Sequence, residues 1–196
     1  MKRASVLFSI LLAVFAFTSI FVVKADPIAA GTKVESFTLP DAGGKDQTLD
    51  GLKGSNGSVV VFLSVQCPVV AGYNDRINQI AAEYQAKGIN FIGINSNNTE
   101  NGTWAKHAAD TYKFPVLKDA GNKLADKLGA TVTPEVYYLD KNNVLLYRGA
   151  LDNDRSGKTV TDTYLKAAFD ASLGGKPVEK KSTNAVGCSI KRLVTE

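Results

Sequence analysis

The stretch Val59-Val60-Val61-Phe62-Leu63-Ser64-Val65-Gln66-Cys67-Pro68-Val69-Val70 reads as a strand that hands over to a helix with a cysteine at the joint. Residues 59–63 are apolar without interruption, the pattern of a strand buried on both faces of a sheet. From 71 to 86 the apolar Tyr73, Ile77, Ile80, Ala81 and Tyr84 recur mostly at steps of three and four, and Gly88 follows as a helix-ending residue. Cys67 is thereby set at a helix N-terminus. Free first-turn N–H groups and the helix dipole favour an anion there, so the thiol pKa falls below its free value of about 8.5. A buried, inert cysteine is the alternative reading, since free cysteine is among the most buried residue types.

Outward from this joint the chain alternates strand and helix patterns. Upstream, 34–39 alternates, Pro40 to Gly44 is a turn cluster and 47–49 resumes, which predicts a hairpin. Downstream, 89–95 reads as a second buried strand, 101–112 as a helix, 114–117 as a short extended piece and 122–128 as a helix. Residues 135–139 and 144–147 flank Asp140-Lys141-Asn142-Asn143 as an antiparallel hairpin, and 161–173 closes with a helix. The sum is an α/β domain of three layers around a mixed sheet. The domain spans 26–175, with no internal repeat and no second domain. The tail, 176–196, is lysine-rich and sparsely apolar until Val186, so it is expected to be a mobile or loosely packed arm carrying Cys188.

Residues 1–25 read separately. Lys2 and Arg3 precede an apolar stretch from Val6 to Val23, and Val23-Lys24-Ala25 supplies a small-residue cleavage pattern, so a secretory signal peptide cut before Asp26 is expected. An uncleaved membrane anchor is the alternative, because the stretch approaches the roughly 20 residues that span a bilayer. The expected location is exported, periplasmic or extracellular. Of the 23 basic residues three lie in the leader, leaving 20 against 19 acidic ones. The remaining chain is nearly neutral and offers no electrostatic case for nucleic acid. Two cysteines are too few for a disulfide scaffold, but in an oxidising compartment Cys67 and Cys188 are able to pair with each other or with a partner.

The run 59–84 resembles the active-site strand and helix of the thioredoxin superfamily, and Thr133-Pro134 is similar to its X-cis-Pro element. Phe37-Thr38-Leu39-Pro40-Asp41, Gly44-Lys45 and Leu52-Lys53-Gly54 resemble the opening of the redoxin branch, the alkyl hydroperoxide reductase / thiol-specific antioxidant family. Gly93-Ile94-Asn95-Ser96-Asn97, Phe114-Pro115-Val116-Leu117-Lys118-Asp119, Thr133-Pro134-Glu135-Val136, Tyr147-Arg148-Gly149 and Gly187-Cys188-Ser189-Ile190 narrow the match to exported peroxiredoxin-like redoxins. The resemblance spans 31–192. It implies a thioredoxin-like three-layer sandwich with a central mixed sheet and an N-terminal hairpin extension. It also implies a cis Pro134 lying against Cys67, with Pro68, Thr133 and Pro134 forming the surface that meets an incoming disulfide. Two departures stand out. Val70 occupies the second position of the thioredoxin Cys-x-x-Cys, which is also where peroxiredoxins carry their peroxidatic cysteine. Pro134 stands where peroxiredoxins carry an arginine, and Val60 where their motif has proline.

The expected function is therefore a thiol-dependent oxidoreductase without a bound cofactor, with Cys67 as nucleophile and Cys188 as the resolving thiol. Its partners are a protein thiol or disulfide, or a peroxide, plus an external reductant protein; the membrane enters only through an uncleaved leader. A peroxiredoxin-like thiol peroxidase is the nearest alternative. A non-catalytic module binding copper or a partner protein is another, although His107 is the only histidine. Cys188 reads equally as a staple that pins the tail. Arg148 reads as a solvated edge-strand residue, Trp104 as packing, and Asp152-Asn153-Asp154-Arg155-Ser156-Gly157 as a polar turn, because Thr163 replaces the glutamate a calcium loop needs at its twelfth position.

Overall fold

A computed structural model of the chain describes residues 26–192. The expected leader, 1–25, lies outside the described residues, and no helix among those described is long and apolar enough to cross a membrane. A five-stranded sheet runs in the order β5 (Val116–Lys118), β4 (Ile89–Asn95), β3 (Gly57–Leu63), β7 (Glu135–Asp140), β8 (Leu145–Gly149). β3 is parallel to β4 and antiparallel to β7, so the sheet is mixed, as the alternation of elements predicted. The expected N-terminal hairpin is present as β1 (Thr38–Pro40) and β2 (Asp46–Thr48), shorter than its sequence pattern, followed by the single turn α1 (Leu49–Leu52).

The unbroken apolar run of β3 is explained by its central place. Successive side chains of a strand point to opposite faces. Val59, Val61 and Leu63 face one core with Val70, Tyr73, Ile77 and Tyr84 of α2 (Pro68–Gln85) and Leu165 and Phe169 of α5 (Tyr164–Leu173). Val60 and Phe62 face a second core with Ile92, Ile94, Leu117, Tyr137 and Leu139, covered by Leu124 and Leu128 of α4 (Lys123–Leu128). Helices thus cover both faces of the sheet. The helix expected over 101–112 is shorter, α3 (Trp104–Thr111), because a 3-10 turn, Asn98–Glu100, comes first. Trp104 packs against the α2-side core as expected.

The tail departs from its expectation. It is not a loose arm: Arg148 N–H donates to Lys181 O at 3.1 Å, Thr183 N–H to Arg148 O at 3.0 Å, Ile190 N–H to Thr131 O at 3.0 Å and Asn98 N–H to Lys191 O at 3.0 Å. A short strand, β9 (Cys188–Ser189), pairs antiparallel with β6 (Val132–Thr133), and Ile190 is buried in the second core. Lysine-rich composition does not report this packing, because Lys176, Lys180 and Lys181 stay exposed while the backbone around them is hydrogen-bonded. Arg148 accordingly does not lie on a free edge, since the tail bonds its backbone and its guanidinium stands 4.0 Å from the buried Glu135 carboxylate.

Candidate active site

Cys67 is the N-cap of α2, with extended backbone angles (φ −89°, ψ 112°), and Pro68 is the first helical residue. Proline suits that place because its φ is already helical and its missing N–H has no intrahelical acceptor to serve. The cysteine side chain is 1% exposed. It lies between the first turn of α2 and β6, where its thiol donates to the Thr133 carbonyl at 3.3 Å, and the Thr133–Pro134 peptide that follows is cis, as the resemblance implied.

β9 completes the enclosure. Thr133 is the register partner of Cys188, and the two sulfurs of Cys67 and Cys188 stand 2.6 Å apart, across 121 positions of sequence. Both thiols are free. Gly187 makes the approach feasible, because a Cβ there would fall 1.9 Å from the Thr133 carbonyl oxygen. The backbone edge of Thr133, expected to face an incoming partner, is occupied in this structure by the protein's own tail.

Burial acts to push the Cys67 thiol up, but hydrogen bonds from the Cys188 thiol, the Val70 and Cys188 N–H groups and the Thr133 side chain outweigh it and leave the pKa below the ordinary thiol value. Cys188 moves the other way: its bond to Cys67 and its burial raise it. The Cys188 thiol is the largest of these donors, and Val70 N–H, in the first turn of α2, adds the helix N-terminus to the same side, so the charge falls on Cys67. In a Cys188→Ala variant the main stabilising donor is gone, so the pH midpoint of Cys67 alkylation is expected to rise relative to wild type. Mass-spectrometric alkylation profiles check this, and a midpoint that stays put would remove Cys188 as the donor.

Sequence reasoning missed the buried carboxylate that holds the loop before Cys67. Glu100, 1% exposed, accepts from Ser64 Oγ at 2.6 Å, Val65 N–H at 3.0 Å, Gln66 N–H at 3.0 Å and Asn95 Nδ2 at 2.6 Å. Asn95 in turn accepts from the buried Lys118 ammonium at 2.9 Å, which also donates to Asn97 O at 2.8 Å. Burial lowers the Lys118 pKa, while the Glu100 and Asp119 carboxylates oppose that shift. Nothing in the pattern around Asn98-Thr99-Glu100 distinguishes this glutamate from one that begins an exposed helix.

Beside Pro134 lies a cleft of about 480 Å³, lined among others by Tyr73, Leu151, Tyr164, Thr183 and the exposed Val186. Its floor is fixed by Asp152, which accepts from Tyr73 Oη at 2.8 Å and Arg76 Nη1 at 2.6 Å. The segment read as a polar turn is one: the Asp154 carboxylate accepts from the Ser156 and Thr159 N–H groups of its own loop. Asp152, by contrast, is a buried structural carboxylate. Asp152→Asn keeps the tyrosine contact and removes the charge opposite Arg76, so a stability loss of about 1–2 kcal/mol is expected in urea unfolding. An unchanged midpoint would show the pair to be dispensable. Among the described residues no group of three His, Cys, Asp or Glu side chains is placed to hold a metal ion, and His107 packs against the Tyr112 ring.

The fold is thioredoxin-like, as in solved structures from Chlorobium tepidum and Mycobacterium tuberculosis at 23% and 20% identity, and it sets Cys188 of β9 against Cys67 at the N-terminus of α2. The chain belongs to the Redoxin family, whose model matches residues 29–165. It is 26% identical over 124 residues to the thiol-disulfide oxidoreductase ResA of Bacillus anthracis, spanning 62% of this chain and 70% of that protein. A Mycobacterium tuberculosis protein described as a candidate peroxiredoxin is 24% identical over 141 residues, or 72% of this chain and 88% of that one. The crystal structure of the Sinorhizobium meliloti protein SMc02350 superposes with a TM-score of 0.78 at 36% identity, covering 87% of this chain and 98% of the other. Thiol-disulfide oxidoreductase or peroxiredoxin-like redox activity is thus the function at family level.

Proposed function

We propose that this redoxin is an exported thiol-dependent oxidoreductase in which Cys67 is the nucleophile and Cys188 of the same chain resolves the intermediate. The observation that carries the reading is the 2.6 Å apposition of the two sulfurs, held by strand pairing at Thr133. With a disulfide substrate, the Cys67 thiolate attacks one sulfur and expels the other as a thiolate. Cys188 then attacks the Cys67 sulfur of the mixed disulfide, releasing the second substrate thiol and leaving a Cys67–Cys188 disulfide. Two electrons pass to the substrate, and an external dithiol protein returns them. Pro68, Thr133 and Pro134 form the floor on which the substrate sulfur is received once the tail, which covers the backbone edge of Thr133 in this structure, lifts away. Export rests on the basic-then-apolar pattern of the first 25 residues.

Peroxide reduction is the second reading, favoured by the near-complete burial of Cys67 under the tail, which admits a small oxidant more readily than a folded protein. There the Cys67 thiolate attacks one peroxide oxygen as the O–O bond breaks and the other oxygen leaves as hydroxide or alkoxide, giving a sulfenic acid, and Cys188 then displaces water from it to form the same disulfide.

One experiment tests both. Reduced protein lacking residues 1–25 is treated with one equivalent of hydrogen peroxide or of a model disulfide and its mass is read under non-reducing conditions. A monomer lighter by two hydrogens, with Cys67 linked to Cys188, is expected. The relative rates of the two oxidants separate the readings. Cys188→Ser is expected to stop at a sulfenate or mixed disulfide on Cys67. Two cysteines still free after treatment would refute the redox assignment.

A further inference from the structure

Asn97 lies buried between β4 and the turn Asn98–Glu100, in the N-cap place of that turn. An asparagine there ordinarily spends its side chain on the N–H groups of its own turn. Among the described residues this one makes no such bond. Its amide is turned instead toward two distant segments: Nδ2 donates to the Leu63 carbonyl at 3.3 Å, and Oδ1 accepts from the Lys191 N–H at 2.9 Å. Leu63 ends β3, on the approach to Cys67, and Lys191 lies just past β9 and Cys188. Asn98 N–H donates to Lys191 O at 3.0 Å, so both backbone polar groups of Lys191 are held by this corner. The corner is itself held. Asn97 N–H donates to Asn95 Oδ1 at 3.2 Å and Asn97 O accepts from the buried Lys118 ammonium, within the network through which Glu100 fixes the loop before Cys67.

β9 needs such a hold. It pairs with β6 at two positions, Ser189 with Val132 and Cys188 with Thr133. A ladder this short specifies its register weakly, and because strand side chains alternate, a slip of one residue turns Cys188 to the opposite face, away from Cys67. Resting on the reading of Cys67 and Cys188 as a redox pair, we propose that Asn97 is a positioning residue for disulfide closure: its one amide ties the end of the strand that leads to Cys67 to the tail that carries Cys188, and so fixes the register of β9. Gly187 gives the tail room beside Thr133; Asn97 decides which of its residues stands there. An amide suits the task because it offers a donor and an acceptor together. Aspartate at this place keeps the acceptor for the Lys191 N–H and loses the donor to Leu63, whereas alanine has neither. The role is carried through Lys191, not by contact with either sulfur.

The test equilibrates wild type, Asn97→Ala and Asn97→Asp with a series of glutathione redox buffers and reads the ratio of Cys67–Cys188 disulfide to dithiol by acid quench, alkylation and mass spectrometry. That ratio reports the effective concentration of Cys188 at Cys67, and a loss of stability common to both redox forms leaves it unmoved. A fall of about tenfold is expected in Asn97→Ala, with recovery to within about threefold of wild type in Asn97→Asp. Lys191→Pro removes the same N–H from the tail side and leaves Asn97 in place, so it carries the test even if Asn97→Ala fails to fold. It is expected to lower the ratio as Asn97→Ala does, and the double variant to fall no further than the larger single effect, as two partners of one bond behave. Ratios unchanged in Asn97→Ala and Lys191→Pro, effects that multiply in the double variant, or Asn97→Asp no better than Asn97→Ala overturn the proposal while leaving the redox pair intact. A wild type that forms no Cys67–Cys188 disulfide in any buffer overturns the pair itself, and this proposal with it.

Discussion

Gly187→Ala slows closure of the Cys67–Cys188 disulfide by at least about 100-fold, with the sheet and α2 undisturbed. A Cβ at this position would meet the Thr133 carbonyl oxygen at 1.9 Å, its carbon at 2.6 Å and the Pro134 nitrogen at 3.2 Å. All three are backbone atoms of the strand that carries the cis peptide, so no side-chain rotation relieves the clash. The tail must back away from β6 and take Cys188 with it. Its thiol then meets Cys67 only as a flexibly tethered group, at an effective concentration in the millimolar range, instead of as an aligned neighbour whose effective molarity is many orders higher. The loss of free thiols after one equivalent of peroxide, followed in stopped flow beside a far-ultraviolet dichroism spectrum, reads the effect. Closure at the wild-type rate would mean that strand pairing at Thr133 is not what brings the sulfurs together. The requirement at Gly187 is for space and not for a left-handed backbone, unlike Gly149, whose φ is +132°.

Much of this architecture is written locally. β3 and α2 are legible because one apolar run without a polar face and one run with helical spacing meet at Cys67-Pro68, and each pattern has few other solutions. The hairpin of β7 and β8 is equally plain from its turn residues. What stays hidden is whatever depends on distant segments meeting. Cys188 was a candidate from composition, but its partner across 121 positions is fixed by two residues of β9 pairing with two of β6. Such a short strand has no periodicity to read. The same holds for Glu100. A glutamate two residues after Asn98 reads as the first turn of an exposed helix, and it is buried only because the turn Asn98–Glu100 folds back beneath the loop 64–66. Arg148 is hidden for the complementary reason, since β8 looks like an edge until the tail is laid beside it.

Glu100→Gln lowers the unfolding free energy by about 3 kcal/mol at neutral pH, and the deficit shrinks in acid. The carboxylate is buried and accepts four hydrogen bonds, from Ser64, Val65, Gln66 and Asn95. Bonds to a charged acceptor are worth about 1.5–3 kcal/mol each, and an amide in its place turns one acceptor oxygen into a donor facing donors. Burial by itself raises the Glu100 pKa, yet these four donors reverse the shift and hold it below the ordinary glutamate value. A carboxylate depressed in the folded state stabilises the fold at pH values above the unfolded pKa, about 4.3, and that contribution fades as pH falls through the folded pKa. Wild type and variant therefore converge below about pH 4, while the glutamine variant, with nothing to titrate there, lacks this component of acid sensitivity. Urea unfolding at pH 7 and at a series of acid values measures the gap. A gap that is constant with pH would mean that Glu100 is not held as an anion. Because Val65 and Gln66 directly precede Cys67, the variant also loosens the strand end that aims the thiol. Slower disulfide closure in Glu100→Gln, restored in part by Glu100→Asp, then separates this positioning role from a simple loss of stability.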